Sequence, residues 1–122
     1  MEKLFKAHIN KIIALTDDEF EYVMSHFSLM DFKKRDFLIR KGEGVKYTFW
    51  VVSGLLKLDY QDVAGKQHVV AFAMEDWWES DYYAFYNQSL ATMSLQALED
   101  SQVLCMTLHD YNTLCKKVPK MA

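Results

Sequence analysis

Cysteine is scarce in this sequence, and its scarcity excludes two chemistries. Cys105 and Cys115 make no C-x-x-C pair and no metal-ligand spacing. A disulfide-rich secreted scaffold is excluded with them, and a reduced cytosolic protein is the simplest account. The N-terminus, M-E-K-L-F-K, lacks the apolar run of a signal peptide. No run approaches membrane-spanning length, so no membrane partner is expected. Internal repeats and low-complexity segments are absent. Positive charge is also in short supply, with 14 Lys and Arg against 17 Asp and Glu. Phosphate contacts need clustered cations, so the chain as a whole is a poor nucleic-acid binder. Lys33, Lys34, Arg35, Arg40 and Lys41 form one local basic cluster, which reads as a solvated face.

What is present describes one domain. The 122 residues are half apolar, enough for one core. Leu4, Phe5, Ile9, Ile12 and Ile13 recur at helical spacing in residues 1–15, an amphipathic helix with His8 at its boundary. Thr16 and Glu19 make a capping box, with Leu15 and Phe20 as a hydrophobic staple. Phe20, Val23, Met24 and Phe27 then form the buried face of a second helix.

From Ser28 to Thr107 the pattern turns strand-like. Met30 and Phe32 alternate with charged neighbours, and Phe37–Ile39 makes a short buried strand ended by Gly42-Glu43-Gly44. The longest apolar run is Tyr47 to Tyr60. Its second half places Leu56, Leu58 and Tyr60 on one face, Lys57 and Asp59 on the other. Gly54 interrupts it and is expected at a bend that no side chain can enter. Gln61 to Lys66 reads as a hairpin loop with Gly65 in the left-handed position, and His68 to Met74 as the returning strand. Val103 to Met106 is a last strand after a turn at Glu99-Asp100. The tail is a helix capped by Thr107, with Leu108, Tyr111, Leu114, Cys115 and Val118 on one face. Lys116 and Lys117 sit in its last turn, and Pro119 closes it or opens another helix. The fold expected is mainly β with flanking helices: an antiparallel β-roll or jelly roll over 28–107, helices over 1–27 and 108–118. An open antiparallel sheet with helices on one face is the alternative.

The stretch from Glu75 to Ala97 stands apart. Six of the ten residues from Trp77 to Tyr86 are aromatic. A short helix can start at Ser80 or Asp81, either of which can cap it. Ala91, Met93, Leu95 and Ala97 then alternate with polar residues as a half-buried strand. Such a unit is either a pocket wall or plain core, since aromatic side chains dominate both.

Three segments carry a resemblance: R-D-F-L-I-R-K-G-E-G, Y-T-F-W-V-V-S-G-L-L-K-L and D-V-A-G-K-Q-H-V-V-A-F. With Gly42, Gly54 and Gly65 at turn positions, they resemble the sensor domain of the Crp/Fnr family of bacterial transcription regulators, a cyclic-nucleotide-binding fold. The W-W-x-S-D-Y stretch looks most like members from the Bacteroidetes. In nucleotide-binding members the region equivalent to Trp77–Ala97 is the phosphate-binding cassette. Aligned without gaps back from Pro119, its Gly-Glu pair falls on Ser80 and Asp81. The resemblance therefore implies Asp81 in place of the ribose-binding Glu, Ala91 in place of the phosphate-binding Arg, and Thr92 in place of the neighbouring Ser. Trp78 and Tyr82 join these as candidate ligand-binding residues. A phosphate pocket without its arginine lacks charge-assisted bonds worth roughly 1.5–3 kcal/mol each.

The other sensing chemistries of such regulators find no support. An iron–sulfur cluster needs four thiolates, and His8, His26, His68 and His109 are scattered rather than paired as haem ligands. No cofactor is expected. A cupin-like enzyme needs several His and a Glu converging on a metal, yet no H-x-H occurs. The expectation is a non-enzymatic, cytoplasmic effector domain binding a small molecule other than a classical cyclic nucleotide. The resemblance implies a homodimer, and DNA contact only through a C-terminal domain not present in this chain. The alternative is a degenerate domain that binds no ligand and serves as a dimerisation or docking platform.

Overall fold

The computed structural model describes residues 2–12 and 15–118. Ile13 and Pro119, and the side chain of Ile12, lie outside the described residues. The element order is α1 (Glu2–Ile12), α2 (Asp17–Met24), β1 (Ser28–Phe32), β2 (Phe37–Ile39), β3 (Tyr47–Ser53), β4 (Leu56–Gln61), β5 (Gln67–Ala73), β6 (Trp78–Glu79), α3 (Tyr82–Asn87), β7 (Ser94–Ala97), β8 (Ser101–Thr107) and α4 (Leu108–Lys117). The strands form two four-stranded sheets, β1-β8-β3-β6 and β2-β7-β4-β5. Every strand pairing within them is antiparallel. This is the β-roll, and the open single sheet is excluded.

Two apolar layers explain the longest run of the sequence. Phe49 and Val51 of β3, with Val103 and Cys105 of β8, point between the sheets and join Leu56, Leu58, Leu95 and Phe85 there. Their neighbours Trp50, Val52, Leu104 and Met106 point the other way, where Phe5, Phe20, Val23 and Leu114 of three helices cover them. A strand buried on both faces reads as continuous hydrophobicity, hence T-F-W-V-V. The helices thus pack on the outer face of the first sheet. The Thr16 box holds α2: Thr16 Oγ1 accepts from Glu19 N–H at 3.1 Å and Glu19 Oε1 accepts from Thr16 N–H at 2.9 Å. Trp78 Nε1–H donates to His8 Nε2 at 2.7 Å, tying α1 to β6. Neither cysteine is in a disulfide. Burial pushes the Cys105 thiol up, and the thiol donates to Ser28 O at 3.3 Å.

Two strand expectations need correction. Asp59 shares the outer face with Lys57 as expected, but it is only 6% exposed, while Tyr60 is 40% exposed. Lys57 Nζ and Gln67 Nε2 fold over the Asp59 carboxylate, and Tyr60 lies near the hairpin tip, stacked on His68. The strand expected through Ala91, Met93, Leu95 and Ala97 begins only at Ser94. The amides of Thr92 and Met93 go to a side chain rather than to a neighbouring strand.

Gly54 makes the bend between β3 and β4 with φ +109°. A Cβ there would lie 2.6 Å from Ser101 Cβ and 2.7 Å from its Cα. Ser101 cannot retreat freely, because its Oγ accepts from Leu55 N–H at 3.2 Å and donates to Glu99 O at 2.8 Å. Gly54→Val therefore combines left-handed strain with overpacking. A loss above about 2 kcal/mol is expected, read as a lowered urea midpoint. An unchanged midpoint would refute the close approach.

Candidate functional site

The cassette-like segment is built around one carboxylate. Asp81 is fully buried. It caps α3, Oδ1 accepting from Ala84 N–H at 3.3 Å. Its Oδ2 accepts from Thr92 N–H at 2.9 Å, Thr92 Oγ1–H at 3.3 Å and Met93 N–H at 3.3 Å. A short helix of aromatic residues has little intrinsic stability, so this cap matters to its existence. Gln88 ends α3 in the left-handed region at φ 52°. Leu90 then bridges Gly44, and Ala91 exchanges backbone bonds with the β2–β3 loop: its N–H donates to Glu43 O, its C=O accepts from Gly42 N–H, both at 2.8 Å.

Of the five residues singled out in the sequence, Asp81, Ala91 and Thr92 come together. Ala91 is 4% exposed and its methyl belongs to the core between the sheets. Tyr82 sits at the start of α3, its hydroxyl 3.0 Å from Thr48 Oγ1 of β3. Burial pushes the Tyr82 phenol up, with the Thr48 bond acting in the opposite direction. Trp78 is not part of this group; it points into the helix-covered layer beside Phe5, Phe27 and His8. The remaining aromatics divide: Phe85 is core, whereas Trp77, Tyr83 and Tyr86 are 51%, 74% and 52% exposed. The stretch is thus neither wholly pocket nor wholly core.

Sequence reasoning missed the stitching partners. Ser80 is buried and its Oγ donates to Tyr47 O at 2.9 Å. A cavity of 200 Å³ lined by Leu38, Ile39, Glu43, Gly44, Lys46, Tyr47 and Phe49 adjoins these contacts. Glu43, Gly44 and Tyr47 are the residues whose backbones hold Ala91, Leu90 and Ser80. The signal was present in Gly42-Glu43-Gly44, but only the pairing identifies its partner. Among the described residues no group of three or more His, Cys, Asp or Glu is placed to hold a metal ion. Among the described residues no helix is long and apolar enough to cross a membrane.

Two substitutions test this geometry. Asp81→Asn removes the charge from an acceptor that serves four donors. A loss above about 2 kcal/mol is expected, with faster hydrogen exchange at Thr92 and Met93; parent-like exchange would show that the carboxylate does not hold the segment. Glu79 tests the opposite sign. Burial pushes its carboxyl up, against the Ser80 N–H that Oε1 accepts at 3.0 Å. Its folded state binds the proton more tightly than the unfolded chain, so stability falls as pH rises through that window. Glu79→Gln is expected to raise the melting temperature at neutral pH, the gain fading below roughly pH 4 where both states are protonated. A gain independent of pH would contradict it.

Comparison with known proteins completes the picture. A family profile described as "Cyclic nucleotide-binding domain" matches residues 29–118. Comparison with curated proteins returned no match. Among solved structures, the catabolite activator protein of Thermus thermophilus aligns with TM-score 0.79 at 18% identity, covering 88% of this chain and 50% of that one. The sensor domain of the transcriptional regulator DNR from Pseudomonas aeruginosa aligns with TM-score 0.81 at 16% identity, covering 98% and 79%. A cyclic nucleotide-binding domain from Methylobacillus flagellatus gives TM-score 0.81 at 14% identity, covering 98% and 70%. The chain thus spans half the length of the Thermus protein. With the β-roll, the bend at Gly54 and the β6–α3–β7 segment in place, the chain belongs to the cyclic nucleotide-binding domain family, the fold of the Crp/Fnr-type sensor domains it resembles in sequence.

Proposed function

We propose that this chain is the effector-sensing domain of a Crp/Fnr-like bacterial transcription regulator, and that its effector is not a classical cyclic nucleotide. Such a regulator is cytoplasmic, pairs as a homodimer and reaches DNA through a separate C-terminal domain. The observation that carries the reading is the state of Asp81. In the place where the resemblance expects a ribose and a cyclic phosphate, the donors of Thr92, Met93 and Ala84 already serve an internal anion. A phosphate entering there meets a buried negative charge with Ala91 in place of a cation. Desolvation of the two anions outweighs the few N–H groups available.

The 200 Å³ cavity beside the cassette suits a smaller ligand that meets Glu43 and Lys46 as well as Leu38 and Tyr47 in its wall. It is below the roughly 300–1,000 Å³ of usual ligand sites. That size also supports the second reading, a ligand-free platform whose interior its own side chains fill.

Titration calorimetry with cyclic AMP and cyclic GMP tests the proposal. No saturable heat is expected near micromolar concentration, where binding is worth about −8 kcal/mol. Saturable binding of either nucleotide would overturn it.

A further inference from the structure

We propose a second small-molecule site, on the outer face of the second sheet, that takes a free amino acid as its zwitterion. A cavity of 330 Å³ crosses β2, β7, β4 and β5 there. Phe37 and Arg40 stand on the β2 side, Gln67 belongs to β5, and Ser94 and Asp59 lie on the strands between. Its volume is within the range of small-molecule sites, about 300–1,000 Å³. Its polar floor is carried on paired strands, which hold side chains more exactingly than loops do.

Asp59 is the unusual residue. It is 6% exposed, and carboxylates are almost never this buried unless paired. Its pairing is one-sided: Lys57 Nζ at 3.2 Å and Gln67 Nε2 at 2.7 Å both use Oδ2. Oδ1 has no donor among the described residues, although the side chain lines the cavity. Oδ1 is open to the cavity and can accept a donor from it, a charged donor above a neutral one. An ammonium group fits that position.

The other end of the ligand follows from Arg40. Its guanidinium lies 4.5 Å from the centroid of the Phe37 ring. Stacking holds the guanidinium plane and leaves its N–H edge for a carboxylate, the bidentate geometry arginine prefers. Lys41 lines the same cavity and adds a second cation. Arg40 and Lys41 line the cavity together with Glu43 and Asp59, the latter already paired with Lys57. A simple anion would face Glu43 and Asp59, and a simple cation would face Arg40 and Lys41. A zwitterion satisfies both signs at once. Sugars and bases fit less well, because both rings here already carry a stacked neighbour: Arg40 on Phe37, and His68 on Tyr60 at 5.0 Å and 18°. The site is independent of Asp81 and of the reading of the cassette.

The test is a titration of the full ¹⁵N-labelled chain with serine and with glutamine, followed by backbone amide shifts. Acetate and ethanolamine serve as the two half-ligands. Saturable shifts at Gln67, Ser94 and Gln96 are expected, with affinity for at least one amino acid about tenfold or more above either half-ligand. Arg40→Met, at an exposed position, should keep the fold and weaken binding about tenfold. Asp59→Asn should weaken it too; if that variant does not fold, Arg40→Met still decides. The proposal is overturned by an absence of saturable shifts up to about 10 mM, well below the affinity of useful sites. It is equally overturned if acetate or ethanolamine alone binds as tightly as the amino acids, or if Arg40→Met binds like the parent.

Discussion

The Asp81 carboxylate is the constraint on which the ligand-side half of this domain depends. It sets where α3 starts, by capping Ala84, and where β7 starts, by taking the amides of Thr92 and Met93 out of strand pairing. Once those are placed, Ala91 can bond to Glu43 and Gly42, and the β2–β3 loop closes over the segment. A buried charge with this many donors is a stabilising hub, and a poor place to add a second anion. The placement of α3, of β7 and of the β2–β3 loop therefore follows from one residue.

The opposite half depends on apolar layering. β3 and β8 are covered on both faces, so they bind the inter-sheet core to the helical layer. Phe5 is the pivot of that layer, edge-on to Phe27 and Trp50 at 4.9 Å each. Edge-to-face pairs of this kind add about 0.5–1.5 kcal/mol each beyond their burial. Trp50 has one cost: its Nε1 is buried without a partner among the described residues. The aromatic packing around it has to offset that loss, which is of the order of 1–3 kcal/mol.

Much of this was legible in the sequence, for identifiable reasons. The Thr16 box, the Thr107 cap, the Asp81 cap, the bend at Gly54 and the left-handed Gly65 are local devices, and local devices can be read without knowing the tertiary fold. The alternation of Ala91, Leu95 and Ala97 also correctly reported which side chains turn inward. What could not be read was anything set by a distant partner. Trp78 looked like a cassette residue by position, yet a two-residue strand and His8, seventy positions away, turn it to the other layer. The burial of Asp59 could not be read either, because alternation reports a face and not what covers it. The shortened β7 could not be foreseen, because a side chain eleven residues upstream competes for its amides.

The same distant contacts decide what an effector could accomplish. A ligand changes a conformational equilibrium only through a difference in affinity between the states, and that difference must reach another element through physical contact. The cassette helix reaches α4 through Tyr86, which meets Tyr111 edge-on at 6.1 Å. The Tyr111 phenol is pushed up to about 12, first by burial and then by Cys115 and Tyr86 beside it. It is therefore a neutral donor throughout the physiological range, and the contact is not a charge switch. Tyr86 is otherwise half exposed, so its ring can slide against Tyr111 without opening the core, whereas Phe85, one position earlier, cannot move without disturbing the packing between the sheets. Tyr86 is thus the residue through which the Asp81-capped helix touches α4, and it does so from the surface of α3.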